Sequence, residues 1–220
     1  MGLLYRSCRH FIRGVFFCTL RADVENRHLA QRDGGYVLAV THLGHMEPFF
    51  SSALSRRPID WVTRKEFFCA PPVNWFLRGI NCIRVDRQGR PVSTIRTAIR
   101  RVKQGRVVGI FPEGGVRHGK HSVLRGAMIK KGCCSISIRG GVPIVPCVML
   151  GTDKLNSVKP WLPFRRAKVW IAYGEPIHPP AGARSTRATR EALAADLRAA
   201  FVALSTQLHD RHQLCDSTVP

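Results

Sequence analysis

The segment that decides the fold class is YVLAVTHLGHMEP, residues 36–48. Its first five residues are apolar or β-forming without alternation, which is typical of a central strand buried on both faces of a parallel sheet. An Asp-Gly-Gly turn precedes the strand, and residues 46–54 have the pattern of a helix. In such a strand–helix unit, ligands and catalytic groups collect at the carboxyl end of the strand. The polar residues from position 42 onward therefore mark a candidate site.

Outward from this segment, strand and helix patterns alternate along the chain. Short β-rich apolar runs predict further strands at residues 59–63, 80–85, 107–111, 144–150 and 168–172. Apolar periodicity and composition predict further helices at residues 73–77, 90–104, 132–139 and 187–208. This alternation predicts an α/β fold: a single domain of ordinary length, with a mixed, largely parallel central sheet flanked by helices and preceded by an amphipathic N-terminal helix.

The first 20 residues place arginines between bulky apolar side chains at helical spacing. We expect residues 1–22 to form a basic amphipathic membrane-interface segment, residues 23–209 the main domain and residues 210–220 a frayed tail. A helix that packs on the core with its basic side in water is the alternative. We expect no secretory or myristoylation signal, and no apolar run is long enough to span a bilayer.

The charge balance indicates an anionic partner. Thirty-five Lys and Arg face fourteen Asp and Glu, giving a formal net charge of +21. Such a surface attracts nucleic acid, anionic lipid or phosphorylated substrates. A nucleic-acid-binding protein is an open alternative, but the arginines are scattered and no P-loop, zinc finger or RNA-recognition motif is found. The eight cysteines form no C-x-x-C unit, which favours reduced thiols in a cytosolic setting.

His42 and Glu47 form the first candidate pair. The glycine-containing turn between them can bring the carboxylate back onto the imidazole. A carboxylate at one ring nitrogen fixes the tautomer and leaves the other nitrogen as a general base. Two alternatives stay open: His42 as a strand-end histidine with a backbone partner, and His45 as the base.

A zinc hydrolase is a further alternative. Two His-x-x-His pairs follow predicted strands, and they comprise His42, His45, His118 and His121. The spacing is not H-E-x-x-H, and a base at position 42 needs no metal. We therefore expect no metal ion.

A second candidate block is VVGIFPEGGVR, residues 107–117. It ends a predicted buried strand in a turn that offers the carboxylate of Glu113, backbone N–H groups near Gly114 and the forked cation of Arg117. The composition of this block suits the binding of an anionic substrate, although by itself the segment also fits a plain β-turn.

Two further blocks complete the set. Arg84 and Arg87 supply cations after the extended run at residues 80–85. The segment GVPIVP, residues 141–146, starts a strand that is stiffened by Pro143 and a second proline.

In this order the four blocks resemble the lysophospholipid acyltransferase family, typified by 1-acylglycerol-3-phosphate acyltransferases. That family carries a His-x4-Asp block, a Gly…Arg block, Phe-Pro-Glu-Gly and Val-Pro-Ile-Val-Pro. Residues 111–114 and 142–146 match the last two letter for letter, and IKKG at residues 129–132 resembles the approach to the fourth block. The resemblance covers residues 25–180.

This sequence departs from the family pattern at three points. Glu47 stands where the family usually has Asp, and Thr41 where it usually has Asn. Arg117 comes one position later than the arginine of the family's third block.

The resemblance implies an O-acyltransferase of phospholipid biosynthesis with no resident cofactor. His42 would deprotonate a hydroxyl of a lysophospholipid, most specifically 1-acylglycerol-3-phosphate, for attack on acyl-CoA or acyl-carrier protein, and Glu47 would orient it. Residues 142–146 would wall an apolar groove, and Gly114 would offer an oxyanion donor. The substrate-binding residues expected from the blocks are Arg84, Arg87, Glu113, Gly114, Arg117, Lys130 and Pro143.

The resemblance also implies a peripheral protein on the cytoplasmic face of an anionic membrane, with no specific nucleic-acid partner. A catalytically weak or inactive lipid-binding relative is an alternative, because positions 41 and 47 depart from the family pattern. Turnover with an acyl thioester separates the two.

Overall fold

A computed structural model describes residues 2–86, 89, 92–156 and 167–214 of the chain. The strands are β1 (Leu20–Glu25), β2 (Tyr36–Val40), β3 (Ile59–Arg64), β4 (Ile83–Val85), β5 (Val107–Ile110), β6 (Ile144–Leu150) and β7 (Ala167–Tyr173). The α-helices are α1 (Leu3–Thr19), α2 (Glu47–Leu54), α3 (Pro71–Gly79), α4 (Val92–Lys103), α5 (Gly132–Gly140) and α6 (Arg187–His212).

Within these residues, the strands form one sheet in the order β1-β7-β6-β2-β5-β3-β4. Neighbouring strands are parallel except for β6 and β7, which are antiparallel. The predicted α/β fold with a mixed, largely parallel sheet is confirmed. Strand β2 lies between β5 and β6 and is buried along its whole length, as its unbroken apolar run predicts.

Alternate residues of β2 point into two apolar layers. Val37 and Ala39 belong to the layer that includes residues of α4, α5 and α6. Leu38 and Val40 belong to the layer that includes Phe50 of α2, with α1 packed against it. Because both faces of the sheet are covered, the carboxyl end of β2 is the part of this strand that opens toward a ligand.

Helix α1 both packs on the domain and exposes apolar surface. The hydroxyl of buried Tyr5 accepts a hydrogen bond from the Ile59 N–H at 3.0 Å, and the Phe16 and Phe50 rings stack with centroids 4.2 Å apart. On the outside of the helix, large apolar side chains are 73–80% exposed at Leu3, Phe11 and Phe17. No helix among the described residues is long and apolar enough to cross a membrane.

Both ends of the domain differ from the sequence-based boundaries. Strand β1 pairs with β7, so the predicted interface segment 1–22 ends inside the sheet. The residues of β1, LRADVE, lack the apolar run that identifies the central strands. Helix α6 continues to His212, and its last turn is tied to Glu25 of β1 by a hydrogen bond with that histidine at 3.1 Å. The frayed tail expected from residue 210 is therefore helical at its start, and residues 215–220 lie outside the described part.

Candidate active site

His42 and Glu47 meet at the carboxyl end of β2. Glu47 is the first residue of α2, and its Oε2 lies 3.3 Å from His42 Nδ1. Its Oε1 accepts hydrogen bonds from the Leu43 and Gly44 N–H groups at 3.1 and 2.5 Å, and from the Thr152 hydroxyl at 2.7 Å. The carboxylate thus closes the turn that the sequence predicts and orients the imidazole at the same time.

The buried Glu47 carboxyl is held as an anion. Its burial acts to raise the pKa, but hydrogen bonding and charge from His42, together with the Thr152 hydroxyl, outweigh burial and lower the pKa of Glu47. A carboxylate in this position stabilises a positive charge that develops on the imidazole when the ring accepts a proton.

Aromatic rings fix the other side of the imidazole. The His42 ring stacks on Phe111 with centroids 4.1 Å apart, and Phe111 stacks on Trp61 at 5.0 Å. Nδ1 is engaged by Glu47, and Nε2 makes no hydrogen bond to any described residue. The His42 side chain is 16% exposed, so a substrate can reach it. This geometry suits a general base.

A second buried carboxylate, Glu113, holds the backbone of the same histidine. Its Oε2 accepts the His42 N–H at 2.7 Å, and its Oε1 accepts the Ser122 hydroxyl at 3.1 Å and the Val123 N–H at 2.8 Å. Both oxygens accept hydrogen bonds from the protein, and the predicted contact of Glu113 with the substrate stays a prediction. Its carboxylate positions the strand end.

The turn after β5 also differs from its expected role. Gly114 has φ +76°, and its N–H donates to the Phe111 carbonyl at 3.0 Å, so the expected oxyanion donor is already engaged. A Cβ on Gly114 would lie 2.6 Å from Cε of Lys130, whose side chain crosses this turn. Arg117 donates its N–H to the His42 carbonyl at 3.0 Å. Two exposed cations, Arg117 and Lys130, therefore flank the backbone that carries His42.

An apolar cavity of about 470 Å³ adjoins the histidine. Helices α1 and α3 and strand β3 supply most of its wall, which includes Ile12, Trp61, Val73, Phe76 and Leu77. His42 and Phe111 lie on the wall as well. A polar catalytic group beside an apolar cavity of this size suits a ligand with one reactive end and one hydrocarbon end.

His45 lines the same cavity as His42 but has a different hydrogen-bond partner. It is exposed, and its Nδ1 lies 3.1 Å from the Asn156 side-chain oxygen. The preceding residue, Gly44, packs closely against the Thr152 backbone, because a Cβ on Gly44 would lie 2.6 Å from the Thr152 carbonyl oxygen. In residues 2–86, 89, 92–156 and 167–214, no group of three or more His, Cys, Asp or Glu side chains is arranged to hold a metal ion.

The remaining candidate residues lie away from His42 or outside the residues that the structure describes. Pro143 precedes β6 and accepts the Val37 N–H, which places it at the amino end of the parallel β2–β6 pair. Since His42 follows the opposite end, the structure does not bring Pro143 to the cavity beside His42, and its place in the wall of the substrate groove stays a prediction. Arg84 lines a different cavity beside β4. Arg87 lies outside the described residues.

Sequence reasoning missed several residues that build the site. Thr152 donates to Glu47 from 105 positions away, and Ser122 donates to Glu113 from the N-cap of a short 3₁₀ helix. Thr41, a departure from the family pattern, accepts the Met149 N–H at 3.1 Å and thereby ties β2 to β6. The only local signal for these contacts was the hydroxyl side chain itself.

Comparisons with known proteins all identify acyltransferases. A family model described as acyltransferase matches residues 21–150, more than half of the chain. The 1-acyl-sn-glycerol-3-phosphate acyltransferase of Bacillus subtilis is 27% identical over 176 residues, which cover 80% of this chain and 83% of that protein. The enzyme of the same name from Chlamydomonas reinhardtii is 25% identical over 213 residues, covering 92% of this chain and 62% of that protein.

A solved structure shares the fold. The crystal structure of the 1-acyl-sn-glycerophosphate (LPA) acyltransferase PlsC from Thermotoga maritima matches with a TM-score of 0.67 and 22% identity. The match covers 91% of this chain and 79% of that chain.

Proposed function

The chain belongs to the acyltransferase family, and we propose that this O-acyltransferase moves a fatty acyl group from a thioester donor to a hydroxyl of 1-acylglycerol-3-phosphate. The observation that carries the proposal is the buried Glu47 carboxylate bound to His42 beside an apolar cavity and two cations. The named relatives support the same acceptor. Such a reaction belongs to phospholipid biosynthesis.

The proposed reaction starts with proton transfer to His42. Nε2 takes the proton of the acceptor hydroxyl while its oxygen attacks the thioester carbonyl carbon. The tetrahedral intermediate then expels the thiolate, which takes the proton back from Nε2. Glu47 holds the imidazole and stabilises its positive charge between the two proton transfers.

We assign the acceptor phosphate to Arg117 and Lys130. Both are exposed: Arg117 bonds the His42 carbonyl, and Lys130 crosses the neighbouring turn at Gly114. The phosphate of the acceptor is only one carbon away from the carbon that bears the reacting hydroxyl. A forked guanidinium with a neighbouring ammonium suits a phosphate dianion. Arg87, which follows Arg84 at the end of the second family block, stays a predicted ligand of the acceptor phosphate.

We assign the hydrocarbon of a substrate to the apolar cavity, and the outside of α1 to the membrane. The exposed side chains of Leu3, Phe11 and Phe17 would enter the acyl boundary, while Arg6 and Arg13 would face lipid phosphates. We propose peripheral attachment to the cytoplasmic face of an anionic membrane.

The test of the function is an acyl-transfer assay with a panel of acceptors. We expect product from 1-acylglycerol-3-phosphate with acyl-CoA, acyl-carrier protein or both, and at least tenfold lower kcat/KM for a lysophospholipid whose phosphate is esterified. Equal use of the esterified acceptor would refute the phosphate assignment. No turnover with any thioester donor would refute the enzymatic proposal and favour a lipid-binding protein.

The membrane assignment has its own test, sedimentation with vesicles that contain anionic lipid. The triple variant Leu3→Ser, Phe11→Ser, Phe17→Ser should bind less, while its activity on a short-chain, water-soluble acceptor stays near that of the wild type. Unchanged sedimentation would favour a helix that serves only to pack on the domain. Deleting residues 1–20 is a poorer test, because Tyr5 and Ile12 also line the cavity.

A further inference from the structure

A second cavity, of about 500 Å³, lies beside the sheet-edge strand β4 and has no role in the proposed proton transfer. Helix α4 forms its other side. The polar residues that line it include Lys65, Arg84, Asp86, Ser93, Thr97 and Arg101. Its wall thus differs in kind from the apolar wall of the cavity next to His42.

The cations of this cavity exceed its acids. Lys65 is paired with Asp86 at 2.7 Å, and Arg101 is paired with the buried Asp60 at 2.9 Å. The guanidinium of Arg84 makes no hydrogen bond or ion pair with any described residue. Because Asp60 is also paired with Arg106, at least one full positive charge faces the cavity without compensation from the described part of the chain.

Two hydroxyl groups complete the polar wall. Ser93 and Thr97 are four residues apart on α4, so they lie on one face of the helix. Neither side chain hydrogen-bonds to a described residue. A free guanidinium opposite two free hydroxyls is a donor set suited to a phosphate group.

The cavity is too far from His42 to hold the phosphate of the acceptor. Strands β5, β3 and β4 follow β2 in the sheet, so the cavity lies about 14 Å from the end of β2, at about 4.8 Å per strand. The acceptor phosphate must stay within a few bonds of the reacting oxygen. An anion in this second cavity must therefore belong to a longer molecule.

The thioester donor has a phosphate at about this distance. In both CoA and acyl-carrier protein, an arm of about a dozen bonds, each about 1.5 Å or shorter, joins the sulfur to a phosphate, which gives a reach of order 15 Å. The two cavities adjoin, because Cys82 lines both and the consecutive residues Arg64 and Lys65 line one cavity each.

We propose that the cavity between β4 and α4 binds the phosphate of the donor's phosphopantetheine arm, with Arg84 as its main cation. This inference rests on the proposed function for the identity of the donor. It places the two phosphates of the reaction at different sites: the acceptor's at Arg117 and Lys130, and the donor's at Arg84.

The first experiment compares donors in the Arg84→Ala variant. We expect KM for a phosphate-bearing donor to rise about tenfold, the effect of losing one charge-assisted hydrogen bond in a partly open cavity, with kcat little changed. KM for the acceptor, and kcat/KM for an acyl-N-acetylcysteamine thioester, which has no phosphate, should stay within twofold. Arg96→Ala is the matched control, because it removes the same charge from an exposed position of α4 that does not line the cavity.

The second experiment needs no turnover. Calorimetry should show that the wild-type protein binds 4′-phosphopantetheine more tightly than pantetheine, and that Arg84→Ala, but not Arg96→Ala, removes this preference. This measurement separates failure of the subsite from failure of the proposed reaction.

The outcomes are distinct. A rise in KM for acyl-CoA alone, or for acyl-carrier protein alone, supports the subsite and identifies the donor that carries the phosphate. An unchanged KM for both donors overturns the proposal. A defect of equal size with the phosphate-free thioester, or a rise in the acceptor's KM instead, overturns it as well.

Discussion

Replacing Glu47 by Gln should remove activity while keeping most of the local structure. Glu47 Oε1 accepts three hydrogen bonds, from Leu43, Gly44 and Thr152. A glutamine that keeps its oxygen in this position must direct its NH₂ group at His42 Nδ1, 3.3 Å away in the wild type. An amide donor there forces the imidazole proton onto Nε2, which can then no longer accept a proton from the substrate.

The expected loss follows from this change of tautomer. We expect kcat to fall by about 10²–10⁴-fold, the usual effect of losing a general base, with KM for both substrates within a fewfold. The free energy of unfolding at neutral pH should fall by about 1 kcal/mol, since a hydrogen bond to a charged acceptor, worth about 1.5–3 kcal/mol, is replaced by a neutral one worth about 0.5–1.5 kcal/mol.

The stability difference should depend on pH in one direction. Because the pKa of Glu47 is lowered in the folded protein, its contribution to stability is complete above the unfolded value of about 4.3. It is lost as the pH falls through the lower folded value. The gap in unfolding free energy between wild type and Glu47→Gln should therefore be full at pH 7 and shrink in acid below pH 4 or so.

The assay combines chromatographic quantification of the acylated product with denaturant unfolding of both proteins across pH. A folded Glu47→Gln protein with kcat within fivefold of the wild type would refute the proposed base and its orienting carboxylate. His42 would then be a strand-end histidine with a structural role.

Three further predictions concern the same site. His42→Ala should lower kcat by about 10²–10⁴-fold, whereas His45→Ala should stay within a fewfold; the reverse order in the same assay would make His45 the base. Thr152→Val removes the hydroxyl donor to the buried carboxylate and should lower kcat about tenfold, which corresponds to a rise of about 1.5 kcal/mol in the activation free energy. Thr152→Ser keeps the hydroxyl and should restore kcat. Failure of serine to restore kcat would mean that Thr152 acts through packing alone. Gly44→Ala should destabilise the protein by about 1–3 kcal/mol in denaturant unfolding, since its Cβ would lie 2.6 Å from a backbone oxygen; Gly14→Ala, in open space on α1, is the control, and equal effects would contradict the contact.

The central strands could be predicted because burial on both faces imposes a local pattern. Residues 36–40 and 144–150 are apolar without interruption, and both are buried along their whole length. Strand β1 lies at the edge of the sheet, where only part of each face is covered, and its sequence keeps charged residues. A strand of that composition is stabilised by its pairing with β7, which no local pattern reveals.

The candidate base could be predicted because its partner is local. His42 and Glu47 are separated by one turn, so their spacing alone predicts that they meet. The contact from Thr152 depends on how β6 lies against β2, and this is a property of the sheet order. The position of Pro143 depends on the sheet order in the same way, since its parallel pairing with β2 places the start of β6 at the edge opposite His42.

The two carboxylates that hold His42 differ in what they control, which predicts different effects of the same substitution on activity. Glu47 touches the ring and sets its protonation, whereas all three contacts of Glu113 are donors from the protein: two N–H groups and one hydroxyl. In Glu113→Gln the amide nitrogen must face at least one of these donors, and a buried N–H left without an acceptor costs about 1–3 kcal/mol. We therefore expect Glu113→Gln to lower the free energy of unfolding by that amount while kcat falls much less than in Glu47→Gln. Measured side by side, a Glu113→Gln protein of wild-type stability with a kcat as low as that of Glu47→Gln would mean that Glu113 acts on the reacting groups.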